Sequence, residues 1–385
     1  MSPLLLSSAL QKATATRPLA AIVIAGGGTG GHVFPGIAIA DEVKRRNPEA
    51  RIVFIGTTRG LEARLVPQAG YELAPITVSR LKGGGFMGKL KGLFRLPIAL
   101  FQSWRILRRV KPDVVIGVGG YASGPAVFTA WLTLRRTAIQ EQNATPGMTN
   151  RLLGKVVKRV FTGFGDTGSF SAKKMIHTGN PIRQAFVARL ENRDIAATSP
   201  TTGTGHALRV LVFGGSQGAT FLNENIPPLL AALGNKLGQP VVVTHQTGEK
   251  DLQATRDRYS AAGLAADVVA FIDDMPTAYG KSEMAICRSG ALTIAELTAV
   301  GLPSVLVPFP FAADNHQEAN ARVLERAGAA IVATQASWDA GALLAQVEGL
   351  AADRKALAAM STAARSLGRA DAAKTIVDHL EGLAR

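Results

Sequence analysis

The chain has 385 residues, about twice the length of a typical domain, and this length predicts two domains. Its composition is 47% hydrophobic, but no uncharged apolar run reaches the roughly 18–20 residues of a membrane span, and the single cysteine, Cys287, excludes an internal disulfide framework. Lysine and arginine outnumber aspartate and glutamate by 43 to 28, and this net charge of +15 favours phosphorylated substrates or an anionic membrane, whereas no sequence motif supports a nucleic acid partner.

Residues 1–17 precede the first strand-like run and are expected to form a disordered extension. No basic residue precedes their apolar start, as it would in a signal peptide, and a polar stretch follows. The protein is therefore expected in the cytoplasm, a reducing compartment in which Cys287 is predicted to be a small buried side chain.

Short apolar runs that alternate with helix-like segments occupy both halves of the chain. Such runs are typical of parallel strands that are buried on both faces, and their alternation with helices predicts a doubly wound α/β sheet in each half. The predicted strands lie in residues 20–27, 51–57, 113–120 and 137–143 of the first half, and in 209–215, 241–247, 267–273, 284–290 and 303–310 of the second.

The two halves open on the same pattern of a strand, a glycine loop and a helix start. The sequences are AIVIAGGGTGGH and RVLVFGGSQGAT, and the segment just before the second, residues 191–207, is linker-like in composition. We therefore expect Rossmann-like domains at residues 18–190 and 208–385, with a final helix that can return to the first domain. A central binding cleft is expected between them, at the carboxyl ends of the strands.

The first glycine loop fits the G-x-G-x-x-G pattern of dinucleotide-binding folds through Gly26, Gly28 and Gly31. A glycine loop between a strand and a helix lets backbone N–H groups contact an anion. The acid that normally ends the second strand is missing, since the next acid is Glu62, while Arg59 is placed to bind a 2′-phosphate. An NADP-dependent oxidoreductase is therefore an alternative, although it leaves the second loop unexplained.

The second glycine loop, GGSQGA, adds the hydroxyl of Ser216 to bare backbone at the start of a helix. Farther along, Ser289 is predicted to cap a helix that begins near Ala291, which would direct more backbone N–H groups at a bound anion. Glu296 lies one turn inside that helix, where its carboxylate can accept both hydroxyls of a ribose.

Eight segments, in order along the chain, carry a family resemblance. They are GGTGGHVFPG (27–36), KPDVVIGVGGYASGP (111–125), EQN (141–143), GNPIR (179–183), GGSQGA (214–219), FIDDM (271–275), CRSGALTIAE (287–296) and GLPSVLVPFP (301–310). The chain resembles the MurG family of peptidoglycan glycosyltransferases, which implies a GT-B fold. The implied reaction moves N-acetylglucosamine from UDP-N-acetylglucosamine to the C4 hydroxyl of the muramyl sugar of lipid I, an undecaprenyl-pyrophosphoryl sugar, and forms lipid II.

The resemblance also implies the donor site, mainly on the second domain. Ser216 and its loop would bind the diphosphate, Ile272 would present its backbone to uracil, Glu296 would bind ribose and Gln317 would hold the sugar hydroxyls. His316 stands where the family usually has a second glutamine, which bears on the choice among UDP-sugars. The implied substrate-binding set is Thr29, Gly30, Gly31, Asn143, Arg183, Ser216, Ile272, Ala291, Leu292, Thr293, Ile294, Ala295, Glu296 and Gln317.

Inverting transfer needs a base for the acceptor hydroxyl and a means of stabilising the departing diphosphate. His32 follows the first loop and is the candidate base, because histidine titrates near neutral pH; its alternative role is to fix the loop. Tyr121, Ser123 and Glu141 are further candidates on the acceptor side, each with a structural alternative. Without a DxD-type pair in a glycine loop or a His/Cys ligand cluster, no metal and no cofactor is expected, and Asp273–Asp274 is interpreted as a strand end.

Residues 80–111 contain nine lysines and arginines and no acid, interleaved with large apolar side chains. This composition is typical of a surface that contacts an anionic membrane, whereas an ordinary helix would turn its apolar side to the core. We expect membrane contact at residues 80–98 and core packing in part of the later stretch. The protein is thus expected at the cytoplasmic face of the inner membrane as a peripheral protein, with cell-wall synthesis proteins as compatible partners. A non-enzymatic membrane scaffold is a third alternative, against which the glycine loops and Glu296 argue.

Overall fold

The computed structural model describes residues 17–78, 86–165, 168–183, 186–187, 207–215 and 217–385, with the backbone alone over 86–94. Residues 1–16 of the predicted extension and 191–206 of the predicted linker lie outside these ranges. The chain divides into two compact units. The first holds the described parts of residues 1–142, 146–184 and 371–385, and the second holds those of 143–145 and 185–370.

The first unit is built on a parallel sheet. Its strands in the described ranges are β1 (Ala21–Ala25), β2 (Arg51–Gly56), β3 (Glu72–Pro75), β4 (Val114–Gly117), β5 (Arg136–Glu141), β6 (Arg159–Thr162) and β7 (Met175–His177). They lie in the order β3-β2-β1-β4-β5-β6-β7. In the interior strand β1, Ile22 pairs with Ile52 on one side and Val114 on the other, and it is fully buried because both faces of the sheet are covered.

Helices that follow these strands are α1 (Gly30–Arg46), α2 (Glu62–Gln68), α3 (Phe86–Val110), α4 (Ser123–Leu132) and α5 (Met148–Leu153). α1 begins directly after the first glycine loop and includes Pro35 one turn inside. Its last turn carries Lys44, Arg45 and Arg46, whose positive charges suit a helix C-terminus.

The second unit repeats this architecture. Its strands are β8 (Leu208–Phe213), β9 (Val241–Gln246), β10 (Ala266–Val269), β11 (Met284–Cys287), β12 (Ser304–Leu306) and β13 (Ala330–Val332), all parallel and in the order β10-β9-β8-β11-β12-β13. Its helices are α6 (Thr220–Leu237), α7 (Leu252–Ala261), α8 (Met275–Lys281), α9 (Ala291–Val300), α10 (His316–Arg326), α11 (Ala340–Ala352) and α12 (Arg354–Leu367). Cys287 is buried at the end of β11, as predicted, and burial raises the pKa of its thiol.

The final helix, α13 (Ala372–Leu383), belongs to the first unit. Its apolar face, which includes Ile376 and Leu380, joins the same buried cluster as β1. Arg46 of α1 donates to Asp378 at 2.6 Å and to Glu381 at 3.0 Å on this helix. Apolar packing and these ion pairs together hold the chain terminus against α1.

All nine predicted strands are confirmed, together with the doubly wound parallel sheets. Four further strands, β3, β6, β7 and β13, were missed because each has only three or four residues at or near a sheet edge. Among the helices described, none is long and apolar enough to cross a bilayer.

A buried polar network fixes the loop that follows β9. His245 Nε2 lies 3.0 Å from Asn223 Oδ1, and its Nδ1 lies 2.9 Å from the Tyr259 hydroxyl. Because Asn223 Nδ2 donates to the Thr247 carbonyl and to Asp251, its Oδ1 must accept, so Nε2 carries the ring proton and Nδ1 accepts from Tyr259. Burial lowers the pKa of His245 to about 3, and the ring therefore stays neutral.

Acid should destabilise the second unit through His245. The ring stays neutral when folded but titrates near pH 6.5 when unfolded, so the unfolded chain binds the extra proton between about pH 6.5 and 3. The free energy of unfolding should fall there by up to about 1.4 kcal/mol per pH unit. Urea unfolding followed by Trp338 fluorescence, with Trp104 and Trp131 replaced by phenylalanine, measures it. His245→Gln should flatten this dependence and the exposed control His379→Gln should not; equal slopes in both variants would contradict the assignment.

Candidate functional site

In the first unit, the order of strands reverses between β1 and β4, so the loops after these strands lie side by side at the carboxyl edge. A Cβ on Gly120 would overlap the Gly27 carbonyl, and one on Gly119 would lie 2.6 Å from His32 Cδ2. Both glycines also have positive φ values, +80° and +92°. Only glycine therefore allows the two loops and the imidazole to pack this closely.

The contacts of His32 define which ring nitrogen can take up a proton. His32 is half-buried in the first turn of α1, and its Nδ1 lies 3.1 Å from the Gly27 carbonyl oxygen and 3.3 Å from Thr29 Oγ1. A carbonyl oxygen only accepts, so Nδ1 donates to it and the neutral ring has its basic lone pair on Nε2. The same contact fixes the loop, which means that the structural and the basic role are compatible.

Glu62 holds the first glycine loop in place through hydrogen bonds. It is 1% exposed, and its carboxylate accepts the Gly28 N–H at 2.7 Å, the Thr57 N–H at 2.9 Å and the Thr57 hydroxyl at 2.7 Å. Burial acts to raise the pKa of Glu62, but the hydrogen bonds from Gly28 and Thr57 outweigh burial and hold the pKa below its ordinary value. A pyrophosphate at Gly28 would have to displace this carboxylate, which argues against the NADP alternative.

The acceptor-side candidates occupy different environments. Tyr121 is exposed at the loop after β4. Ser123 is fully buried at the start of α4, where its hydroxyl packs against Gly117, and this favours a structural role. Glu141 is also buried, and it accepts the Gly147 N–H at 3.1 Å and Asn150 Nδ2 at 2.9 Å. Of the three, Tyr121 is the side chain that lies open to a ligand in the first unit.

Arg183 is half-buried in the first unit. Its guanidinium carbon lies 5.6 Å from the centre of the Phe34 ring. A cation–π contact of this kind holds the planar group in place while it keeps its charge.

In the second unit, the reversal of strand order lies between β8 and β11. The glycine loop after β8 also contacts the loop after β9. A Cβ on Gly218 or Gly248 would overlap the backbone of the other loop, and both glycines have positive φ values, +72° and +77°. α6 and α9 begin directly after the loops that follow β8 and β11, so two helix N-termini lie at this edge. Ser216 itself lies outside the described residues.

The predicted cap at Ser289 is wrong. Gly290 is the N-cap of α9, and the Ser289 hydroxyl donates instead to the Gln317 carbonyl at 2.8 Å. Gln317 Oε1 accepts the Phe309 N–H at 3.0 Å, which leaves the Nε2 end of the amide as the donor. These contacts hold Gln317 at the start of α10, next to His316, whose Nδ1 lies 2.7 Å from the Ala313 carbonyl oxygen.

Glu296 lies on α9, whose first six residues are Ala291 to Glu296, as the helix prediction placed them. Its Oε2 accepts the hydroxyl of Tyr279 at 3.1 Å, and Tyr279 is 1% exposed. The carboxylate is half-buried and thus oriented by a rigid partner. Sequence analysis missed Tyr279, because no motif spacing links α8 to α9.

Asn143 is held in the second unit by Asn320. Asn320 is fully buried on α10; its Nδ2 donates to Asn143 Oδ1 at 3.1 Å, and its Oδ1 accepts the Ala144 N–H at 2.8 Å. Asn143 therefore has a fixed side-chain orientation, which sequence analysis could not foresee.

The segment after β10 contains Ile272, whose N–H donates to Gln246 Oε1 at 2.8 Å. Its carbonyl is the backbone group that remains to be offered to a base. Two residues on, Asp274 is the N-cap of α8 and accepts the Thr277 N–H at 3.2 Å. The interpretation of the acidic pair at 273–274 as a strand end is wrong, because β10 ends at Val269 and Asp274 caps α8, although the role of Asp274 is structural.

Comparison with known proteins agrees with this arrangement. The profile of the glycosyltransferase family 28 N-terminal domain matches residues 22–162, and that of the C-terminal domain matches residues 209–376. The UDP-N-acetylglucosamine--N-acetylmuramyl-(pentapeptide) pyrophosphoryl-undecaprenol N-acetylglucosamine transferase of Anaeromyxobacter dehalogenans (strain 2CP-1) is 48% identical over 93% of this chain and 91% of its own. The protein of the same name from Myxococcus xanthus is 46% identical over the same shares.

Solved structures show the same relationship. The crystal structure of Acinetobacter baumannii MurG superposes with a TM-score of 0.77 at 33% identity, covering 94% of this chain and 99% of that one. A UDP-GlcNAc 2-epimerase from Neisseria meningitidis, at 14% identity and a TM-score of 0.65 over 94% and 99% of the two chains, shares the fold alone. Nothing in these comparisons supports an oxidoreductase. The chain is a GT-B glycosyltransferase that belongs to the MurG family within glycosyltransferase family 28.

Proposed function

We propose that this protein is the inverting glycosyltransferase that moves N-acetylglucosamine from UDP-N-acetylglucosamine to the C4 hydroxyl of the muramyl sugar of lipid I, forming lipid II for peptidoglycan synthesis. The observation that carries the proposal is the 48% identity, over 93% of the chain, to a transferase named for this donor sugar and acceptor. The hydrogen-bonded loops at the carboxyl edge of each sheet supply the groups that this reaction needs.

The donor is assigned to the second unit. Ser216 and the glycine loop would bind the diphosphate at the start of α6, and the start of α9 adds a second helix N-terminus. The carbonyl of Ile272 would accept the N3–H of uracil, since its N–H is engaged by Gln246. Glu296, oriented by Tyr279, would accept the ribose hydroxyls, and Gln317 would donate to the sugar. The proposed substrate-binding set also includes Thr29, Gly30, Gly31, Asn143 and Arg183.

The chemical step is assigned to His32. Its Nε2 would take the proton of the acceptor C4 hydroxyl while that oxygen bonds to the anomeric carbon and the bond from this carbon to the diphosphate oxygen breaks. The electron pair leaves on UDP, whose added charge the helix N-termini, Ser216 and Arg183 would stabilise. His32 and Arg183 are held by contacts within the chain before the ligand binds.

His32→Ala should lower kcat about 10²–10⁴-fold, the usual contribution of a general base, and should change UDP affinity little. Turnover with UDP-N-acetylglucosamine and a lipid I analogue, beside calorimetry with UDP, measures both. The control is His379→Gln on α13, which should keep full activity. Nearly unchanged turnover in the alanine variant would mean that His32 only fixes the loop.

Glu296→Ala should weaken UDP binding by about 1.5–3 kcal/mol, because hydrogen bonds from the ribose to a charged group are lost. The KM for UDP-N-acetylglucosamine should rise with it. Glu348→Ala on α11, which removes a carboxylate paired with Lys236, serves as the matched control. Equal UDP affinity in the Glu296 variant and the parent would place the ribose elsewhere.

The predicted membrane segment can be followed in part. Residues 80–85 lie outside the described ranges and 86–94 are described by backbone alone, but Arg95, Leu96 and Ile98 are exposed on α3. Ala99 and Leu107 are buried, so the expected core packing of the later stretch is confirmed for part of that helix.

We extend the proposed membrane contact to an apolar surface on α3, α4 and the turn that follows α4. It consists of the exposed side chains Phe101, Trp104, Phe128, Trp131, Leu132 and Leu134. Phe101 and Trp104 have ring centres 5.7 Å apart, and those of Phe128 and Trp131 are 5.5 Å apart. The two helices pack together and contain no acid, while Arg108 lies over the Trp104 ring. Exposed aromatic rings among arginines suit the headgroup region of an anionic bilayer.

Vesicle binding tests this contact. The protein should co-sediment with phosphatidylglycerol vesicles, less with neutral ones, and less in high salt, because each basic residue near the surface contributes about 1 kcal/mol and salt screens it. Serine at Lys89, Lys91 and Arg95, or at Phe101 and Leu132, should reduce binding at least 10-fold and leave UDP affinity unchanged. Serine at the exposed Lys236, Lys281 and Lys355 of the second unit removes equal charge and should have little effect. Equal reduction by both triple variants would reject a localised surface.

A further inference from the structure

Gln246 connects two loops that the proposed donor site uses at opposite ends of the nucleotide. It is the last residue of β9 and is 3% exposed. Its Nε2 donates to the Gly215 carbonyl at 2.8 Å, and its Oε1 accepts the Ile272 N–H at 2.8 Å. Both polar ends of the amide are thus bonded to backbone.

The position of β9 explains why one side chain reaches both loops. β9 lies between β10 and β8 in the sheet, and the carboxyl ends of parallel strands meet at one edge. The loop that contains Gly215 follows β8, and Ile272 follows β10. Gln246 therefore spans the edge from one neighbouring strand to the other.

Backbone contacts also reach these loops, since the Gly215 carbonyl accepts the Gly218 N–H at 3.0 Å and the Ala270 carbonyl accepts the Gly248 N–H at 3.0 Å, but the Gln246 amide bonds to both loops at once. Gly215 is exposed with a φ of +94°, and no heavy atom would lie within 4 Å of a Cβ there. Residues 270–273 are neither helix nor strand. Hydrogen bonds to a buried amide restrict both segments before any ligand binds, which reduces the entropy that binding would otherwise lose.

We propose that Gln246 is a positioning residue that sets the distance between the uracil-binding backbone at Ile272 and the diphosphate-binding loop at Gly215. The inference rests on the proposed donor site, because the two ends of UDP are assigned to these loops. A ligand that uses both loops gains from a fixed spacing, whereas a ligand that uses one loop does not. Loss of the bridge must then weaken UDP more than uridine.

Two variants distinguish the effect of the two hydrogen bonds of Gln246 from the effect of its side-chain volume and from the effect of one hydrogen bond alone. Gln246→Met keeps the approximate side-chain volume but forms neither hydrogen bond. Gln246→Glu keeps an acceptor for the Ile272 N–H, but as a carboxylate it cannot donate to the Gly215 carbonyl. The control Ser282→Ala removes a buried hydroxyl bonded to the Ala278 carbonyl at the opposite edge of the sheet, before β11.

Calorimetry with uridine and with UDP gives the decisive comparison. Both Gln246 variants should weaken the binding of UDP at least 10-fold and the binding of uridine less than 3-fold. UDP should bind to the Glu variant more weakly than to the Met variant, because the added carboxylate repels the phosphates. The KM for UDP-N-acetylglucosamine should rise by a larger factor than kcat falls. Ser282→Ala should leave the affinity for both ligands unchanged. Thermal unfolding without ligand checks that each variant is folded.

The outcomes distinguish this inference from the function on which it rests. If the unchanged protein does not bind UDP, the donor site and the inference both fail. If it binds UDP, and the Gln246 variants lose affinity for uridine and UDP by equal factors or lose no affinity, the donor site stands and the positioning role is overturned. If the Met variant does not fold, the neutral variant Gln246→Asn, whose shorter amide cannot reach both loops, takes its place, because the charge of the Glu variant would weaken UDP binding even without a positioning role.

Discussion

Within each unit, two backbone loops approach each other more closely than a side chain at their glycines would allow. In the first unit, Gly120 contacts Gly27 where the order of strands reverses, and in the second Gly218 contacts Thr247. Two of the groups in the proposed function lie next to such contacts. His32 packs on Gly119, and Gln246 reaches Gly215 only because the loop after β8 lies against the end of β9. A Cβ at these glycines would separate the loops and the site residues with them.

The two glycine loops share a pattern but differ in what binds their backbone. In the first, the buried carboxylate of Glu62 accepts the Gly28 N–H, so the chain supplies its own anion. The second loop precedes α6, and its Gly215 carbonyl accepts a hydrogen bond from the neutral amide of Gln246. A carboxylate repels a diphosphate, whereas a helix N-terminus attracts one. Within the function we propose, the first loop precedes the base His32 and contains Thr29, Gly30 and Gly31 of the substrate-binding set, whereas the second loop binds the diphosphate.

Much of the fold could be predicted, because buried parallel strands are continuous apolar runs and each glycine loop follows one of them. β7 was missed because its three residues, Met175–His177, form no such run, whereas short strands within longer apolar runs, such as β12, were predicted. At the candidate site, the motifs indicated the candidate residues but not the partners that orient them. Glu62, Tyr279 and Asn320 act through contacts between distant segments, which no local spacing encodes. The cap predicted at Ser289 failed because Gly290 takes that position and the hydroxyl turns to Gln317.

Hydrogen exchange resolved by residue, with and without UDP, tests most directly whether the second unit binds the nucleotide while the first loop is held by Glu62. The account predicts slower exchange in the loops after β8 and β10 and at the start of α9 when UDP is present. The Gly28 amide, already bonded to Glu62, should exchange at the same rate in both conditions. Protection of Gly28 by UDP, with no change in the second unit, would contradict the account.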